Sequence, residues 1–245
     1  QGQALAPALV RHSGGNPLFL LETLKQGLAD GSLARGELPR PASVGALIEQ
    51  RLQRLSAQAL ALARVAAIAS VDFSIELAEA ATGERAVALA SAWDELQQAQ
   101  VLRDEAFAHD LVRDAVLRSV PAPVARRLHA DVAAFLQQHG GEAARLAAHW
   151  EAAGLWSEAR QALLAAAAAA RAIGRFREQA ALYERAARAC ERAGDPAARF
   201  EMLLERVQAL TMGDEGDEAL AAAAALEAEA TSDQQRLHAI ACQVN

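Results

Sequence analysis

The sequence predicts a predominantly all-α protein, and three observations carry that expectation. Alanine and leucine make up much of the apolar content: 53% of residues are hydrophobic but only 4% are aromatic. Both head the helix scale, while valine, isoleucine and aromatic residues are relatively sparse. Apolar residues recur at three- and four-residue spacing through most of the chain, the period of a helix with one buried face. In the second half, breaks at Gly154, Gly174 and Gly194 repeat every 20 residues.

Residues 3–12 form a short helical pattern that stops at "HSGGNP". "LFLLETLKQGLADG" begins a second helix with Pro17 near its first turn, where a missing N–H costs nothing. Leu18, Leu21, Leu24 and Leu28 recur at helical spacing and are its expected buried face. "GSLARGELPRP" (31–41) reads as a linker or hairpin. "SVGALIEQRLQRL" then places Val44, Leu47, Ile48, Leu52 and Leu55 on one stripe, with Ser43 as N-cap. Ser56 opens another helix, "SAQALALARVAAIA", and "VDFSIELAEAATG" reads as a turn and a short helix from about Ser74 to Gly83. "ERAVALASAWDELQQAQ" is a further helix anchored by Val87, Leu89, Trp93 and Leu96.

Apolar residues alternate loosely around the charges in "VLRDEAFAHD", which predicts a tight two-stranded turn before the helix "DLVRDAVLRSV". Helices followed by a small hairpin are the pattern of a winged helix. After Pro121 and Pro123, "VARRLHADVAAFLQQHG" closes that domain, assigned to residues 38–139. From residue 140 to 245 helix follows helix. "AGLWSEA" (153–159) and "IGRFREQA" (173–180) share a glycine, an aromatic two positions later and an alanine further on. The glycine supplies a left-handed helix end and the aromatic plugs the space between neighbours. Antiparallel helices of this length, stacked in order, make a tetratricopeptide-like (TPR-like) α-solenoid, with a period shorter than the 34-residue consensus.

Composition excludes several classes. No uncharged apolar run approaches the length of a membrane span, and residues 1–12 do not read as a signal peptide; a soluble, cytoplasmic chain is expected. Cys190 and Cys242 have neither metal-ligand spacing nor a disulfide framework and read as small hydrophobes. The net charge of −7 is spread as +1 over residues 1–40, −3 over 41–137 and −5 over 138–245. No segment carries the basic footprint of a nucleic-acid site, so no direct nucleic-acid contact is expected. Gln1 is not an initiator Met and "HAIACQVN" ends within a helical pattern, which reads as a piece of a longer polypeptide.

Catalytic chemistry finds no footing. None of His12, His109, His129, His139, His149 and His238 forms an i, i+4 pair, so no metal site is expected. Ser13 lacks a nucleophile elbow, and neither cysteine has a nearby histidine. No phosphate-binding G-x-x-x-x-G-K-[ST] loop occurs, and Lys25, the single lysine, sits in "TLKQG"; the chain is expected not to be an enzyme. "SGGNP" either presents backbone N–H groups to an anion or is an ordinary loop. His109, at the junction of hairpin and helix, reads as a packed residue, a metal ligand or part of a ligand sensor.

The ordered set "HSGGNPLFLLETL", "LPRPASVGALIEQRLQRLS", "FAHDLVRDAVLRSV…RRLHADVAAFL" and "AAHWEAAGLWSEA" resembles the central region of bacterial STAND-class, AAA+-type signal-transduction ATPases, such as the LuxR-type and SARP/BTAD-type transcriptional regulators. The resemblance covers nearly the whole chain. It implies that residues 1–37 end a helical lid, ahead of the winged helix and repeats, and that a P-loop domain lies upstream. Gly15, Asn16 and Pro17 match the G-x-P motif, whose proline packs near adenine. "AHD" matches the Met-His-Asp motif with Ala108 in place of Met. That match implies that His109 faces the β-phosphate of bound ADP and that Asp110 holds the local backbone or caps the next helix. No cofactor is expected in this stretch itself, and ATP or ADP in the parent protein. The implied partners are the upstream P-loop domain, an effector domain of the same polypeptide, and an inducer or protein on the repeats. The rival expectations are a DNA-binding winged-helix regulator and a plain helical scaffold.

Overall fold

The computed structural model describes residues 17–29, 31–35, 44–104 and 106–244. The helical pattern at 3–12, Gly15, Asn16 and the Ser43 cap lie outside the described residues. Among those described, the chain is all-α apart from one small hairpin. It divides into two compact units, residues 1–122 and 123–245.

The first unit opens with α1 (Pro17–Ala29), a 3-10 turn (Leu33–Arg35) and α2 (Val44–Leu52). Then follow α3 (Ala57–Ala69), α4 (Ile75–Thr82), α5 (Ala86–Gln98), the hairpin strands β1 (Leu102–Arg103) and β2 (Ala106–Phe107), and α6 (Asp110–Arg118). Helix α3 is the centre of the core: Leu62, Ala63 and Ala67 are wholly buried and pack with Leu89, Ala92 and Leu96 of α5 and Val112, Ala115 and Val116 of α6. The expected start at Ser56 is present, since its Oγ accepts a hydrogen bond from Ala59 N at 3.1 Å. The Glu95 carboxylate in turn accepts from Ser56 Oγ and N, both at 2.6 Å, tying α5 to the head of α3. Those two bonds stabilise the carboxylate and lower the Glu95 pKa. Ser74 caps α4 in the same way, and Gly83, at φ 74°, ends it. In the hairpin Leu102 pairs with Phe107 and Arg103 with Ala106, antiparallel, with Asp104 in the left-handed region at φ 54°.

Two expected apolar faces are corrected. On α1, Leu21 is 47% and Leu28 73% exposed, whereas Glu22 and Thr23 are buried. Helix α1 packs through its smaller residues: a Cβ on Gly27 would stand 2.6 Å from Leu33 Cγ, so the 3-10 turn lies against that glycine. Glu22 turns inward because Arg51 and Lys25 neutralise it. On α5, Val87 is 86% exposed and Leu89, Ala92 and Leu96 form the buried stripe, with Trp93 half-buried beside it. In the stretch read as linker or hairpin, the described part is the 3-10 turn.

The second unit contains nearly all of α7 (Ala122–Gln138), then α8 (Ala143–Ala153), α9 (Trp156–Ala172), α10 (Phe176–Ala193), α11 (Pro196–Met212), α12 (Gly216–Glu229) and α13 (Asp233–Val244). From α8 onward each helix packs on the next. The interfaces are built mainly from small side chains, chiefly Ala159, Ala167, Ala186, Ala187 and Cys190, which let the helices approach closely, with Leu163 as a larger buried anchor. Gly154, Gly174 and Gly194 have φ of 78°, 73° and 74°, and the next residue donates to the carbonyl five back in each case. That is the expected left-handed helix end. The period continues one step beyond the glycines: Asp214 takes φ 58°, and Glu215 N donates to Leu210 O at 3.1 Å. Cys190 is buried as expected, Cys242 half-buried. No helix among the described residues is long and apolar enough to cross a membrane.

Candidate functional site

His109 caps α6. Its backbone is extended (φ −164°, ψ 148°), and its Nδ1 accepts a hydrogen bond from Leu111 N at 3.1 Å. An imidazole nitrogen that accepts cannot carry the proton, so the neutral ring holds its hydrogen on Nε2 and offers a donor there. Asp110 is therefore not the cap. It is the first residue of α6, where a carboxylate interacts favourably with the helix dipole.

His109 lines a pocket of about 450 Å³ with Leu21, Glu22 and Lys25 of α1, Arg51 of α2, and Arg103 and Asp104 of the hairpin. Asp110 lines a different and larger cleft, so the two residues of the "HD" pair do not share a cavity. Pro17 stands exposed at the start of α1, four residues before the first α1 residue in the pocket.

Glu22 organises the floor. It is 4% exposed and bonds Lys25 Nζ at 3.0 Å and Arg51 Nη1 at 3.1 Å. Arg51 comes 29 residues later and is nearly buried; its Nε and Nη2 are enclosed with no hydrogen-bond partner. Burial lowers the Arg51 pKa and the Glu22 charge opposes that shift. Around the pocket Lys25, Arg51, Arg103 and the His109 Nε2–H are donors, against the carboxylates of Glu22 and Asp104. Such a set can receive the oxygens of an anion, and bonds from charged donors are about twice as strong as neutral ones. Lys25, Arg51 and Glu22 are functional candidates that sequence reasoning missed. Only the uniqueness of Lys25 was visible; a buried pairing across 29 residues leaves no periodic signature.

In the second unit His129 and His149 meet at 2.9 Å, Nδ1 to Nδ1, with ring centroids 5.1 Å apart. One ring must donate and the other accept, so at least one is neutral. Burial, and then the neighbouring His149, push the His129 pKa down to about 4. No group of three metal-binding side chains occurs among the described residues. His139 stacks on Phe135 at 4.0 Å, and its Nδ1 lies 2.7 Å from the Phe135 carbonyl.

Compared with known proteins, the chain matches no family model, no curated protein and no solved structure.

Proposed function

We propose that this chain is a non-catalytic regulatory part of a signal-transducing ATPase, within a transcriptional regulator. In this reading residues 38–139 act as a winged helix that senses ADP or ATP, and the TPR-like helices from residue 140 bind an inducer or a protein. The observation that carries it is His109 as the cap of α6, which keeps a single ring donor, Nε2–H, in a pocket it lines together with Lys25, Arg51 and Arg103. A diphosphate would bring acceptor oxygens to this donor-lined pocket, with a bond from Nε2–H. Loss of that bond, or a competing γ-phosphate, releases α6 and gives two states. Pro17, the described residue of the G-x-P match, opens α1, the helix that supplies Leu21, Glu22 and Lys25 to the pocket.

The test uses the polypeptide extended upstream by about one domain, roughly 200 residues. Co-purified nucleotide and the ADP dissociation rate are measured for wild type, His109→Ala and His109→Asn. Asparagine restores a helix cap but has no donor at the Nε2 position. A bond to a charged group is worth about 1.5–3 kcal/mol, so both variants should release ADP roughly ten- to a hundredfold faster, while only alanine lowers stability. Full ADP retention in the asparagine variant, or no nucleotide in the wild type, refutes the reading.

A further inference from the structure

The larger cleft of the first unit has a different chemistry from the His109 pocket. It encloses about 1220 Å³ between the start of α4, one face of α5, the hairpin and the first turn of α6. Its apolar floor is the stacked pair Phe73 and Trp93, with centroids 6.0 Å apart and planes 18° from parallel, together with Phe107 and the partly exposed Ile75. Among the described residues, Asp94, Asp104 and Asp110 stand exposed around it without an ion pair, and Arg113 supplies the single cation of the lining.

We infer that this cleft is a docking site for a cationic amphipathic helix of a partner protein. The inference does not depend on nucleotide sensing at His109. Charge selects the partner: three carboxylates against one guanidinium repel an acidic surface and attract Lys and Arg. The same charges disfavour DNA, although α5 is the helix that a winged-helix reading assigns to recognition, because duplex affinity depends on neutralising phosphates. Size points to a peptide, since the volume exceeds the roughly 300–1,000 Å³ of small-molecule pockets. Shape points to a helix. Ala86 and Ala90, one turn apart and exposed, leave a low shoulder on α5 beside the Trp93 ring, so a helix backbone can lie close while its apolar anchors reach the aromatic floor. Arg113 fits the end of that helix. The last turn has free carbonyls that a guanidinium lining the cleft favours, and it favours cationic side chains, which here meet the three aspartates.

The test is fluorescence anisotropy on the whole chain with a labelled synthetic helix of about four turns. The helix carries leucines at i, i+3, i+4 and i+7 and lysines in its last turn. A second peptide has glutamate in place of each lysine, and an unlabelled DNA duplex serves as competitor. The lysine helix should bind more tightly than the glutamate helix by about tenfold or more, and more tightly still at low salt. The Asp94→Lys, Asp104→Asn double variant should reverse that order; asparagine tolerates the left-handed φ of 54° at 104. Ile75→Gln, which removes an apolar contact of the floor without changing its charge, should weaken binding of the lysine helix with the fold intact by circular dichroism. Equal binding of the two peptides, indifference to both variants, or displacement by the duplex overturns the inference.

Discussion

Acidification should destabilise the second unit through His129. The ring is held to His149 at 2.9 Å, and its pKa is pushed from 6.5 to about 4. A base with a depressed folded-state pKa binds its proton more readily when unfolded. Its contribution is therefore complete above the unfolded value and is lost as pH falls from about 6.5 towards 4. The difference in proton affinity alone removes about 2 kcal/mol between pH 7 and 4.5. His129 keeps partial access to water, which screens the effect, so about 1 kcal/mol is the expected loss. The assay is urea unfolding at pH 7, 5.5 and 4.5 followed by circular dichroism, alongside His129→Gln, which cannot take up the proton. The wild type should lose about 1 kcal/mol more than the variant over that range. A nuclear magnetic resonance titration should place the His129 midpoint well below 6. Parallel pH dependence in the two proteins, or a midpoint at 6.5, refutes the argument.

Two further outcomes follow from burial. Glu22→Ala leaves the Arg51 guanidinium enclosed without its carboxylate and should cost about 3 kcal/mol in chemical denaturation, whereas Glu22→Leu with Arg51→Met should restore most of it. Leu89→Ala, in the α3–α5 interface, should cost about 2–5 kcal/mol, while Val87→Glu, two residues away and 86% exposed, should change stability by less than about 0.5 kcal/mol.

What the sequence made legible was local. Ser56 and Ser74 cap helices because their hydroxyls face the first free N–H groups, and that preference is written in the residue type. The hairpin followed from the alternation around the charges in "VLRDEAFAHD", and the 20-residue breaks from glycines that adopt positive φ. The sequence also ends a helix near Gly213–Gly216, but that break was not read into the 20-residue period, because Asp214 rather than a glycine takes the left-handed position, which an aspartate tolerates at some cost. The nearby Gly213 serves space instead: at φ −83° it needs no conformational licence, but a Cβ there would stand 3.2 Å from Phe176 Cβ. Faces were harder to read than ends. Leucine spacing on α1 pointed to Leu21 and Leu28, yet the helix turns Glu22 and Thr23 inward, because a buried ion pair and a close approach at Gly27 decide its rotation. The candidate site depends on that rotation. His109 alone was visible as chemistry, and its neighbours Lys25, Arg51 and Glu22 are assembled by packing.

The distribution of unsatisfied charge argues for where ligands act. In the second unit, arginines are used across helices: Arg185 bonds Glu151, Arg206 bonds Glu184 and Glu218, Arg199 bonds Glu229, and Arg177 bonds Glu215. Such half-exposed pairs add about 0–1 kcal/mol each; with alanine-rich interfaces that discriminate weakly between registers, their value lies in fixing which helix meets which. In the first unit, three buried guanidinium nitrogens stay unpartnered, Nε and Nη2 of Arg51 and Nε of Arg113. An enclosed donor without an acceptor costs about 1–3 kcal/mol, and folded chains keep few of them. One of these arginines lines the His109 pocket and the other the Phe73–Trp93 cleft. Each cavity thus has a guanidinium in its lining, and charged donors favour an oxygen acceptor there, a phosphate in the first proposal and a helix-end carbonyl in the second.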